Sequence, residues 1–252
     1  MNKKGEMTTE QIVMIIVLIV SFIVILYFLL RLNLGGTTND EICHNSVVLK
    51  SKSAGLVGGL TCKTDYICIS GGGTCANLNP TTTVNVDATN KDEIMKAIAD
   101  QMSNCWFTFG EGNANYLGLA EKSVLTKTTC ALCSTIEFDD KILSKNYGIT
   151  YSDFYNYLMN THKDSSQTYL NYLFGVSDVS SLEAKNGVTN KVVSSTLNNN
   201  LITNTQYGIL TGFIQGFAGG LLGNTYQIYP TYLPINQVSS QLQCADFVTT
   251  AS

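Results

Sequence analysis

Apolar positions along this chain fall into three kinds of run. The first is unbroken. The nineteen residues from Ile12 to Leu30 carry no charge, and only Ser21 is clearly polar. At ~1.5 Å per residue such a helix reaches about 28 Å, close to the hydrocarbon thickness of a bilayer. Lipid offers no partner to free backbone groups, so the run is expected to be a transmembrane helix over residues 12–32. Thr8 and Gln11 read as a capping box at its start. A removable export signal would have a shorter apolar core and a small-residue cleavage site, and "RLNLGG" is a poor one.

The second kind of run recurs at helical spacing. In "NKDEIMKAIADQMSNCW", residues Ile94, Ala97, Ile98, Met102 and Cys105 share one face, and Asn90 with Glu93 makes a capping signature. Phe154, Tyr157 and Leu158 mark another helix. "SSQTYLNYLFG" marks one more, stopped by Gly175. Ile235, Val238 and Leu242 outline a last amphipathic helix.

The third kind alternates. "QYGILTGFIQGF" places Tyr207, Ile209, Thr211 and Phe213 on one face, with Gly208, Leu210, Gly212 and Ile214 on the other. This is strand periodicity, with close backbone approach on the glycine side. "SVVLKSK", "LTCKTDYICIS", "TIEFD" and "NTYQIYPTYL" are further expected strands. No regular strand–helix–strand spacing appears, so the expected class is α+β: an N-terminal transmembrane helix followed by a disulfide-stabilised extracytoplasmic α+β domain. The expected division is a cytoplasmic leader (1–11), the transmembrane helix (12–32), a stalk (33–42), a Cys-rich β module (43–87) and an α+β domain (88–252).

Charge and cysteine usage orient this plan. Lys3, Lys4 and the α-amine precede the apolar run, against Arg31 alone just after it, which favours a cytoplasmic N-terminus. The expected location is the cell membrane, crossed once, with the C-terminal domain outside. Cys43, Cys62, Cys68, Cys75, Cys105, Cys130, Cys133 and Cys244 all follow the run. An even count beyond a membrane suggests up to four disulfides in an oxidising compartment. Spacing suggests Cys62 with Cys75 as a local pair; the other pairings stay open.

Only 13% of residues are charged, the net charge is −4, and there is no basic run. Nucleic-acid binding therefore lacks its electrostatic footprint. From Val192 to Ala245 there is no Asp, Glu, Lys, Arg or His. A neutral, amide-rich surface suits close packing against copies or partners, because no charge needs desolvating. An uncharged sheet with polar loops would read the same way.

Candidate chemistry is sparse. Cys130 and Cys133 form a C-x-x-C, which could be a redox dithiol, half of a zinc site, or two structural cysteines with different partners. The strand-like "STIEFDD" after it does not suit a helix N-terminus, and only His44 and His162 could complete a metal site. The structural role is preferred. "FGEG" at Phe109–Gly112 reads as a turn, and Trp106 as core. Glu137 and Asp139 alternate on one strand face and are expected to be solvated; a paired-carboxylate site would need a cleft. No nucleophile-elbow or zinc-protease motif occurs. No catalytic residue, metal or cofactor is expected.

"KKGEMTTEQIV" carries a likeness. It resembles the class III signal of archaeal prepilins, in which a basic segment ends in Gly, a prepilin peptidase cuts, and a Glu lies five residues into the mature helix. The resemblance implies processing after Gly5, a mature start at Glu6, and Glu10 as the register-fixing residue. In such proteins the apolar helix is retained and packs into a filament core. Here the head is larger and richer in cysteine than pilin heads usually are. "CKTDYICI", "CWFTFGEG" and "CALCSTIEFDD", in that order, resemble an uncharacterised group of archaeal membrane-anchored proteins, which implies setting but no mechanism. The expected function is a non-enzymatic, membrane-anchored surface or assembly protein. Its expected partners are the membrane, a prepilin peptidase and copies of itself. A permanently anchored binding protein that never polymerises, and a C-x-x-C thiol oxidoreductase, stay open as rivals.

Overall fold

The computed structural model describes residues 9–31, 39–53, 59–116, 127–145, 148–183, 196–215, 225–244 and 246–251. The chain separates into two units, residues 1–38 and 39–252.

The first unit holds helix α1, Thr9–Arg31. Side chains are described from Gln11 to Val24. Every hydrophobic one from Ile12 to Val24 is at least 41% exposed, so no face of this stretch is covered. The expected transmembrane helix is corrected here. Among the described residues, no helix is long and apolar enough to cross a membrane.

The second unit is α+β, built on a mixed sheet and four disulfides. It opens with α2, Asn39–Lys52. This replaces the expected strand in "SVVLKSK" and the last residues of the expected stalk. Asp40 and Glu41 in the first turn and Lys50 and Lys52 in the last complement the helix dipole. Cys43 and Val47, one turn apart, bury on a common face.

Five strands form the main path of the sheet. In order across it they are β2 (Thr82–Asn85), β1 (Lys63–Ser70), β3 (Lys127–Phe138), β4 (Tyr207–Gln215) and β5 (Thr225–Pro234). β2, β1 and β3 run parallel; β3, β4 and β5 run antiparallel. Strands of the expected Cys-rich module and of the following domain thus share one sheet. β1 and β3 pair directly only through Asp65–Ile69 and Ser134–Phe138. At their other ends a C-terminal segment enters between them. Its β6 (Asp246–Phe247) runs parallel to β3, and its β7 (Thr250–Ala251) runs parallel to β1.

Helix α3, Lys91–Thr108, lies on one face. Asn90 caps it by accepting from the amides of Asp92 and Glu93, as the local sequence requires. Ile94, Ile98 and Met102 of α3 join Ile67, Ile136, Tyr207, Ile209 and Phe213 of the sheet in the main core. Helices α5 (Tyr151–Asn160) and α6 (Tyr169–Phe174) add Phe154, Leu158, Leu170 and Leu173 to it. α6 ends at Gly175 with φ 63°, the left-handed stop its sequence predicts. Short helices α4 (Asp140–Lys145) and α7 (Val179–Glu183) complete this side. The opposite face has a smaller cluster of Cys130, Leu210, Ile228 and Leu233, closed by Val238 and Leu242 of α8, Ile235–Leu242. At Gly212 the neighbouring strand leaves no room for a side chain: a Cβ there would press into the Thr129 carbonyl oxygen.

Candidate functional site

Three groups of residues were singled out by the sequence. Of the processing residues, Gly5 and Glu6 lie outside the described residues. Glu10 lies in the first turn of α1.

The eight cysteines pair as Cys43–Cys62, Cys68–Cys75, Cys105–Cys133 and Cys130–Cys244. The expected Cys62–Cys75 pair is therefore not formed. Cys62 directly precedes β1 and ties it to α2, while Cys75 closes the turn that follows β1 back onto Cys68. The C-x-x-C cysteines take different partners, as preferred from the sequence. Three positions apart on β3, they leave opposite faces of the sheet. Cys133 reaches Cys105 on α3, and Cys130 reaches Cys244 just after α8.

The carboxylates of β3 are a correction. Glu137 and Asp139 are buried, not solvated. Asp139, fully enclosed, follows β3 directly and sits where the parallel strands β1 and β3 end side by side. Its Oδ2 accepts from Ser70 Oγ at 2.9 Å and from the amides of Gly71 at 2.8 Å and Gly73 at 2.6 Å. Its Oδ1 accepts from the Ile142 amide at 2.9 Å, capping α4. Gly72 turns the loop with φ +93°, and a Cβ on Gly73 would press into the Asp139 carboxylate. Glu137 accepts from the Asn77 amide at 2.9 Å and from Gln206 Nε2 at 3.2 Å. Both carboxylates are therefore consumed in holding the post-β1 loop. The signal for this was "SGGG" after one strand and "FDD" after its neighbour: glycines offer only amide donors, and a carboxylate at the adjacent strand end can take several of them.

A cleft of about 470 Å³ beside α3 and α6 brings together Lys96, Asp100, Glu111, His162, Lys163, Tyr169 and Tyr172. Asp100 of α3 accepts from Lys96 Nζ at 2.6 Å and from the Tyr169 hydroxyl at 2.5 Å. Across the cleft, Glu111 accepts from the Tyr172 hydroxyl at 2.6 Å, and Lys163 Nζ lies 4.2 Å from the centre of the Tyr172 ring. Burial, then the hydrogen bond to its carboxylate, pushes each of these two phenols up. Asp100 raises Lys96 in turn. Each carboxylate is thus the acceptor of a protonated phenol, an arrangement that fastens α6 and the turn before it onto α3 and beyond. The turn at Gly110–Gly112 that presents Glu111 has positive φ throughout, consistent with the turn reading of "FGEG". Among the described residues, no group of three or more His, Cys, Asp or Glu could hold a metal ion.

The tyrosine-rich core makes a prediction about alkaline pH. Burial raises the phenols of Tyr116, Tyr151, Tyr155 and Tyr232 above their ordinary value near 10. The fold favours each neutral form. Their contribution is therefore complete below about pH 10 and is lost as pH rises above it, where the unfolded chain ionises first. Unfolding and the 295 nm tyrosinate absorbance should rise together above about pH 11. Titration of all 13 tyrosines near pH 10 with the fold intact would contradict this.

No family model matches this chain, and no curated protein or solved structure matches it either. Its class is defined by its own architecture: a disulfide-stapled α+β unit carrying a separate apolar helix.

Proposed function

We propose that this chain is a non-catalytic, pilin-like subunit of an extracytoplasmic assembly, in which α1 packs against the α1 helices of other copies. The observation that carries the reading is the uncovered apolar surface of α1, with Met14, Leu18 and Phe22 each at least 60% exposed. A helix that is hydrophobic all round must be buried by something, and sister helices of the same kind bury every face at once. Four disulfides support an oxidising compartment beyond the cytosol. The likeness of "KKGEMTTEQIV" to archaeal prepilin signals supports cleavage after Gly5 by a prepilin peptidase. A carboxylate among apolar helices needs a partner, and the freed α-amine of a neighbour's Glu6 supplies one to Glu10.

The test joins an intact mass to an assembly assay. The native chain is expected to begin at Glu6 and to sediment as high-mass assemblies. Glu10→Ala should reduce the assembled fraction at least about tenfold, corresponding to about 1.4 kcal/mol of subunit contact. A native chain that retains Met1–Gly5 and stays monomeric, with α1 covered by lipid or detergent alone, would overturn the reading.

A further inference from the structure

A second cleft, of about 520 Å³, lies in the same unit between the 196–205 segment and the start of α8. No charged side chain lines it. Asn198, Asn200, Asn236 and Gln237 converge there with Thr203 and Tyr207. Among the described residues, the four carboxamides have no hydrogen-bond partner. Each offers two donors and an acceptor. The cleft therefore presents a dense set of neutral donors and acceptors with nothing to hold an ion.

Its frame is fixed. The Tyr207 hydroxyl shares a 2.7 Å hydrogen bond with Thr203 Oγ1, which also meets Thr205 Oγ1 at 3.0 Å. The Tyr207 ring stacks on Tyr232 with centroids 4.6 Å apart. The segment is tied down by the Tyr151 amide to the Asn199 carbonyl at 3.1 Å and by the Leu201 amide to the Ile149 carbonyl at 2.7 Å. The Ile235 amide donates to the Gln206 carbonyl at 3.0 Å, which fixes the entry to α8. A held frame lowers the ordering entropy that binding would otherwise lose.

We propose that this cleft binds a neutral saccharide. Sugar hydroxyls each donate and accept, which matches side-chain amides in both capacities. An anionic or cationic ligand finds no counter-charge here. An extended peptide finds no open strand edge at Tyr207, which pairs with Ile136 on one side and Pro234 on the other. The volume lies within the range of small-ligand sites.

The experiment titrates the full chain with maltotriose, mannotriose and tri-N-acetylchitotriose by calorimetry. At least one should bind with Kd below about 5 mM, changing less than about twofold between 50 and 500 mM salt, because no charge is engaged. Asn200→Ala with Asn236→Ala, both exposed positions where the fold tolerates change, should weaken it at least about fivefold. Absence of saturable binding by all three sugars, or equal affinity in the double variant, would overturn the proposal.

Discussion

Replacing Cys130 and Cys244 together by alanine is expected to lower the stability of the α+β unit by about 4–5 kcal/mol. This bridge closes the longest loop in the chain, with a sequence separation of 114. In the chain-entropy model that corresponds to about 4.8 kcal/mol, against about 2.4 kcal/mol for Cys68–Cys75 with its separation of 7. No other disulfide shortens the loop, because none has a cysteine between Cys133 and Cys244. The bridge also holds the start of the segment that fills the gap between β1 and β3. The Val248 amide donates to the Cys130 carbonyl at 2.9 Å, and the Thr250 amide to the Cys62 carbonyl at 3.1 Å. Urea unfolding under non-reducing conditions measures the loss, and amide exchange at Val248 and Thr250 should accelerate before the main core opens. A change below about 1 kcal/mol would show that the pairing alone holds the segment.

Asp139→Asn is expected to remove about 3 kcal/mol with no change of shape at the surface. The native carboxylate is acceptor-only and meets four donors, from Ser70, Gly71, Gly73 and Ile142. An asparagine in the same place must turn its amino group toward at least one of them, whichever way it flips. One donor then faces another against a fully buried side chain. Hydrogen bonds to a charged acceptor contribute about 1.5–3 kcal/mol each, so losing one and weakening the others accounts for the magnitude. Asp140→Asn is the control. That residue is next in sequence but exposed, and its change should stay within about 0.5 kcal/mol. Equal thermal midpoints for the two variants would sink the argument.

Much of the local structure was legible because its causes are local. Asn90, three residues before Glu93, caps α3 with no help from distant groups. Alternation from Tyr207 to Ile214 sorts the two faces of β4, and both clusters respect it. The failures lie where a distant partner decides. "SVVLKSK" has β-branched residues suited to a strand, yet Cys43 and Val47 bury on one helix face and the Cys62 bridge holds them there. The pairing of Cys75 with Cys68 depends on how sharply the glycine loop turns after β1, and spacing alone cannot report that. Glu137 and Asp139 looked like a solvated stripe, since nothing in "IEFDD" reveals that amides from Gly71, Gly73 and Asn77 arrive from another strand end. The amide-rich cleft was visible only as a charge-free stretch, because Asn200 and Asn236 come together where Tyr207 at the start of β4 pairs with Pro234 at the end of β5.

The insertion of β6 and β7 between β1 and β3 sets an order on the birth of the molecule. The inner end of β1 waits for a hydrogen-bonding partner 188 residues downstream. Thr250 must therefore have been synthesised and released before the central strands can close. Until then two parallel neighbours gape at one end, a slow, non-local step and an opening for mispairing between nascent chains.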